Sequence, residues 1–280
     1  MAGLFFVVLA AAFARAETAG TGEGALDSYF RLVDKTQSEQ PHWMSPLFAT
    51  TPRLVERFRY DNIWQSRPNG VDLASYGAGK GLELIPFERV AVLLGVPAYF
   101  VRKTPVGTKS GWADETFLVK YRILSANEES GNYIVTGFLG VSVPTGSEGF
   151  SAGKTIYTPT IGGGKGWGTR QEGFDIQSTL AVSIPTGDRS RIGVPIVWNT
   201  TFQAHVWSEK FWPEVEMNLT HWSDGPNDGK TQAIVTMGVV AGRFPITGRL
   251  RAVVGVGYQV AVSSYRTYDH AWLVSMRLPF

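Results

Sequence analysis

The chain has 280 residues, enough for one large domain or two small ones. Glycine (32) and tryptophan (9) are abundant, only 18% of residues are charged, and a net charge of +2 is no footprint for nucleic acid. Cysteine is absent, which excludes a disulfide framework and a thiolate metal site. His42, His205, His221 and His270 have no ligand-like spacing, so no metal and no cofactor are expected.

The run LFFVVLAAAF, followed by Ala14, Arg15 and Ala16 before Glu17, reads as a signal peptide over residues 1–16. It is too short for a membrane-spanning helix, which needs about 20 apolar residues. The later run VAVLLGVPAYFV is broken by Gly95 and Pro97. An exported chain without a helical anchor is expected.

Residues 17–53 form a second unit, periplasmic or plugging a lumen. Within it, Leu26, Tyr29, Phe30 and Val33 share one helical stripe, Asp27 lies near the start, and PHWMSP ends the helix. A plain amphipathic helix is one reading. The other packs the segment into or under a barrel, with Asp34 or Glu39 meeting arginines.

Residues 54–280 read as strand after strand, because apolar residues recur at every second position. TFLVKYRIL sets Phe117, Val119, Tyr121 and Ile123 against Thr116, Leu118, Lys120 and Arg122. IVWNTTFQAHV sets Trp198 and Phe202 against Asn199, Thr201, Gln203 and His205. PEVEMNLT sets Val215, Met217 and Leu219 against Glu214, Glu216, Asn218 and Thr220. RLRAVVGVGYQVAV sets Val254, Val256 and Tyr258 against Arg249, Arg251, Gly255, Gly257 and Gln259. The final strand keeps Trp272, Val274, Met276, Leu278 and Phe280 on one face.

A soluble sandwich or lipocalin-like barrel turns such apolar faces inward, whereas an outer-membrane barrel turns them to lipid. Three features favour lipid. Glycines (Gly140, Gly255, Gly257) sit on the polar face, where a crowded interior needs small groups. Aromatics (Trp64, Tyr133, Trp198, Trp207, Trp222, Trp272) gather near strand ends as interface girdles. The last strand, ending at Phe280, resembles the signal read by the bacterial barrel-assembly machinery.

The fold class expected is therefore an all-β transmembrane antiparallel barrel of about twelve strands in the bacterial outer membrane. The strands are placed near 54–65, 79–86, 88–99, 114–124, 133–143, 155–165, 173–185, 196–207, 213–222, 231–244, 249–263 and 269–280. Long outer loops are expected after the first (66–78), third (101–113), fifth and seventh strands, with short turns at the other end. GGGKGWG lacks the serine or threonine and the strand-loop-helix setting of a phosphate loop, so it reads as a hairpin exit.

The stretches GKGLELIPFERVAVLLGVPAY, FLVKYRILSANEESGNYIVTGFLGVSVPTG, FDIQSTLAVSIPTG, WPEVEMNLT and NDGKTQ resemble the outer-membrane proteins of the MetA pathway of phenol degradation, over about residues 50–280. The resemblance implies a twelve-stranded channel and uptake of small, aromatic or hydrophobic molecules. It supplies no binding residues.

The alternation itself places charges of both signs in the lower lumen. Arg57, Arg59, Arg249, Arg251 and Arg277 are expected to form one basic wall, near Glu83, Lys120, Arg122, Glu214 and Glu216. They act as a salt-bridge lattice, as a selecting constriction, or as both. Arg243 breaks its strand's alternation, by snorkelling or at a bulge.

Catalysis is not expected, since His205 faces the lumen without a neighbouring serine and orienting acid. The function expected is passive passage of a small-molecule solute. The alternative is a structural or adhesive barrel acting through its outer loops. Lipid and the assembly machinery are the expected partners of a monomer, because no strand shows a second apolar face.

Overall fold

The computed structural model describes residues 24–207 and 209–280, so the signal-peptide reading of 1–16 lies outside the described residues. Among the described residues one helix, α1 (Ala25–Ser38), precedes the barrel. The strands that follow are β1 (Arg57–Arg67), β2 (Val71–Gly77), β3 (Gly81–Phe87), β4 (Val90–Gly95), β5 (Tyr99–Thr104), β6 (Gly107–Trp112), β7 (Glu115–Ala126) and β8 (Tyr133–Val143). Then come β9 (Ile156–Gly168), β10 (Gly173–Val182), β11 (Ile184–Pro185), a short helix α2 (Arg189–Ile192), β12 (Pro195–His205), β13 (Phe211–Trp222), β14 (Thr231–Thr247), β15 (Leu250–Ala261) and β16 (His270–Pro279).

Four pairs of these segments are halves of single staves. β2 and β3 both pair with β1; β4 and β5 pair with β3 and β2 in turn. β6 and β7 flank the same stave, and β10 and β11 both pair with β9. The result is a twelve-stranded antiparallel barrel, closed where β1 pairs with β16 from Arg57↔Pro279 to Ser66↔His270. Closure leaves no exposed edge along that seam.

The strand count agrees with the sequence, but two expected outer loops do not exist. Residues 66–78 and 101–113 continue the staves beyond the anticipated ends. Asn69 (φ 65°) and Gly70 (φ 69°) make the tight turn from β1 to β2, and residues 105–106 turn β5 into β6. Asn-Gly is a strong hairpin signal, so the first of these turns was legible. The genuine long loops follow β8, β11, β13 and β15. Asp114 holds the first of them, accepting from the amides of Gly146 (2.9 Å) and Ala152 (2.8 Å).

Burial follows the predicted alternation. On β16, Trp272 is 54% exposed while Arg277 is 1% exposed. Outward aromatics pack on one another near both ends, with Tyr258 and Trp272 tilted at 4.9 Å and Trp167 and Phe174 stacked at 4.9 Å. An apolar exterior around a buried charged interior is stable only with lipid outside. The chain is a bacterial outer-membrane barrel.

Helix α1 lies across the short-turn end, which is periplasmic in barrels of this class. Val33 packs with Leu54, Ile85 and Ala91. The buried stripe runs through Tyr29, Leu32, Val33 and Thr36, whereas Leu26 is 64% exposed and does not join it. Lys35 pairs with Glu88 in the β3–β4 turn at 2.6 Å.

Candidate functional site

Residues 39–56 have no regular secondary structure, yet most are buried. They enter the barrel from the short-turn end, and their two limbs are tied together. Gln40 donates to the Leu54 carbonyl (2.6 Å) and accepts from the Leu54 amide (3.0 Å), and Arg53 donates to the Trp43 carbonyl.

Irregular backbone away from water needs partners for its amides and carbonyls. The lumen side chains supply them. Glu214 accepts from the Leu47 amide (2.7 Å); Glu216 accepts from the amides of Phe48 (2.6 Å) and Ala49 (2.8 Å). Arg59 donates to the carbonyls of Pro46 (3.1 Å) and Leu47, and Arg277 to those of Ser45 and Pro46 (3.0 Å). Lys120 donates to the carbonyls of Thr51 and Arg53, both at 3.1 Å, and Thr136 to that of Pro52 (2.7 Å).

Two apolar knobs complete the fit. A Cβ added at Gly238, Gly255 or Gly257 would come within 2.3, 2.5 or 3.0 Å of the Leu47 side chain. Likewise, a Cβ at Gly164 or Gly166 would lie 2.6 or 2.5 Å from the Trp43 indole. The glycines of GGGKGWG thus clear a seat for Trp43, whose indole N–H donates to Asn132 at 2.8 Å. Around these knobs the interior is apolar, with Ile63, Ile134, Ile234, Val240, Val253 and Leu273 buried together.

Most of the charges expected in the lower lumen lie there, and several gather in three groups. Glu83 forms ion pairs with both Lys120 (2.6 Å) and Arg57 (3.2 Å). Arg59 pairs with Asp61 (2.7 Å) and stands directly across the closing seam from Arg277. Arg122 reaches Glu39 (2.8 Å) and the Thr36 carbonyl (2.7 Å) at the foot of α1.

The five arginines do not form one continuous wall. Arg249 turns out of the barrel to Asp34 on α1 (2.9 Å), and Arg251 donates to the carbonyl of Gly248 in its own turn (2.6 Å). Arg249's hydrogen bond holds the Asp34 carboxyl below its usual range. Arg243 sits at a bulge with φ 59°, which swings it inward to Glu209 and the His42 carbonyl. Its positive φ marks a one-residue register slip, the cause of the broken alternation.

A latch closes the entry. Glu128, in the turn between β7 and β8, accepts from the His42 amide (2.6 Å) and faces its ring nitrogen at 2.9 Å. Burial raises the Glu128 pKa, but the hydrogen bonds from His42 outweigh it and bring the carboxyl from 4.5 down to about 2. A carboxyl depressed on folding stabilises the docked segment above its unfolded pKa and loses that contribution as pH falls through the folded one. Protection of residues 39–45 against acid-active protease is therefore expected to fall between pH 4.5 and 2. Glu128→Gln should remove that pH dependence; an unchanged profile would sink the latch.

Three of the cavities around the segment adjoin one another. One at the short-turn mouth, ≈490 Å³, is lined by His42, Arg53, Arg57, Arg251, Arg277 and others. A second, ≈210 Å³, lies past the apex at Thr50 and shares Arg57 with the first. A third, ≈330 Å³, opens toward the outer loops and shares Gly79 and Thr116 with the second. Sequence reasoning placed Arg57, Arg59, Lys120, Glu214, Glu216 and Arg277 inside the barrel but not the backbone groups they meet, and it missed the side chains that the glycines seat.

No protein-family model matches this chain, and no curated protein matches it. Among solved structures, an outer-membrane channel from Pseudomonas putida F1 is similar with a TM-score of 0.52 at 12% identity, covering 80% of this chain and 94% of that one. The NanC porin gives 0.48 at 12% identity over 80% and 98%, and the transport unit of the autotransporter AIDA-I from Escherichia coli gives 0.42 at 13% over 89% and 97%. At such identity the likeness is one of fold. With its closed twelve-stranded wall and apolar exterior, this chain is an outer-membrane β-barrel with a channel fold.

Proposed function

We propose that this chain is a passive outer-membrane channel for small molecules, with residues 39–56 acting as a plug that leaves a narrow route alongside. The observation that carries the reading is the series of three cavities. Their linings share Gly79 and Thr116, then Arg57, so they run from the outer loops to the inner mouth along one wall. Arg57 and Glu83 stand at the junction with the inner cavity and are the proposed constriction, since charged side chains at a narrowing set which solutes pass.

The outer part of the route is mixed in character. Ile63, Leu73 and Phe100 line one cavity and Leu93 and Leu118 the next, each beside polar groups. Such a lining suits a small aromatic with one polar substituent. The sequence resemblance to the MetA-pathway proteins of phenol degradation supports the same solute class. Lipid around a single copy of the chain is the proposed setting.

Planar-bilayer recordings of the refolded chain test this. Discrete steps are expected, blocked by phenols or aromatic acids, with ion selectivity altered by Arg57→Ala. A bilayer that stays silent, both for this chain and for one lacking the plug, would rule the channel out.

A further inference from the structure

The inner cavity has a charge imbalance that the plug does not resolve. Eight cationic side chains line it against three carboxylate side chains. Each of those carboxylates is already engaged: Asp34 with Arg249, Glu209 with Arg170 and Arg243, and Glu56 with the Tyr29 hydroxyl. Among the described residues, no carboxylate pairs with Arg53, Arg251, Arg277 or Lys210.

These groups are also held in place. Arg277 is 1% exposed and fixed by the Pro46 carbonyl (3.0 Å) and Ser275 (2.9 Å). Arg53 and Arg57 are each 7% exposed and keep an Nε without a hydrogen-bond partner among the described residues. A guanidinium carries five N–H donors in a rigid fork. Arg251 spends one nitrogen on its own turn. Lys210 donates to the Arg243 carbonyl at 3.1 Å.

Cations brought together away from bulk water repel one another, and several pre-positioned forks suit an acceptor with two or more oxygens. A cation would add to the repulsion, and a neutral solute would leave it in place. We propose that this cavity is a binding site for a small oxyanion, a carboxylate or a phosphate, at the inner mouth of the barrel. The inference extends the proposed channel and rests on it for the route by which the anion arrives. Binding itself needs only the cavity.

Titration calorimetry on the full chain in detergent micelles tests it, with sodium benzoate and inorganic phosphate as separate probes and benzyl alcohol as neutral control. At least one anion should bind, with affinity falling as salt rises. Benzoate alone identifies a carboxylate site, and phosphate alone a phosphate site. Arg251→Gln and Lys210→Gln should each weaken binding roughly tenfold, since each removes a charge-assisted hydrogen bond while touching no plug carbonyl. Absence of binding by both anions, or affinity unchanged in the double variant, would overturn the site. So would benzyl alcohol binding as well as benzoate. A silent bilayer with intact binding would count against the channel alone; conduction without binding would count against the site alone.

Discussion

Deleting residues 17–50 is expected to raise single-channel conductance several-fold while the barrel still folds. The wall does not depend on this segment for closure, because β1 pairs with β16 over its whole length through its own ladder. What the segment occupies is the interior. Leu47 fills the space cleared by Gly238, Gly255 and Gly257, Trp43 fills that cleared by Gly164 and Gly166, and the tied limbs span the lumen between them. Its removal frees Arg59, Arg277, Glu214 and Glu216, whose side chains lose backbone partners and become water-lined. Melting temperature should fall, since the buried apolar cluster that includes Trp43, Met44 and Leu47 is lost. Conductance equal to that of the intact chain would mean that ions take the side route alone and that the segment is not a plug.

Glu216→Ala is the single substitution expected to loosen the segment most. Its carboxylate accepts the amides of Phe48 and Ala49 and the hydroxyl of Thr201 (3.3 Å). A hydrogen bond to a charged group contributes about 1.5–3 kcal/mol, so losing the two amide bonds should cost the docked state roughly 3–6 kcal/mol. Among the described residues the amides of Phe48 and Ala49 have no acceptor besides Glu216, and buried amides left unpaired are costly. Recordings should change from steady steps to flickering between two levels, and protease should cut between residues 43 and 53. Glu216→Gln keeps an acceptor oxygen and should show a smaller change. Steady steps and full protection in the alanine variant would mean that the seats for Leu47 and Trp43 hold the segment unaided.

Much of the barrel was legible in the sequence. Period-two alternation decided which side of each strand faces out, because neighbouring side chains on a strand must point to opposite faces. Hence Trp272 and Val256 were placed outside, and Glu214, Glu216, Lys120 and Arg277 inside, before any contact was known. Two strand ends were misjudged for a physical reason. Beyond Ser66 and Val101 the staves lose their apolar outer face, and hydropathy then resembles a loop although the backbone ladder continues. Only the Asn69-Gly70 turn betrayed the first of them.

The partners of the lumen charges lay beyond reach of the sequence. Arg277 meets the carbonyl of Pro46, 231 residues away, and Glu214 meets the amide of Leu47, 167 residues away. Such pairs exist only after the wall closes and the segment turns inside it. Nor does a carbonyl have any signature in a sequence, since every residue carries one. The same holds for glycine: the sequence put Gly255 and Gly257 on the crowded face, and only the folded chain showed that Leu47 does the crowding. By itself the sequence determined a barrel, its outward face and most of the charges within, because those follow from local alternation. The tertiary structure decided what the charges hold, because that depends on which distant stretch of backbone occupies the space they enclose.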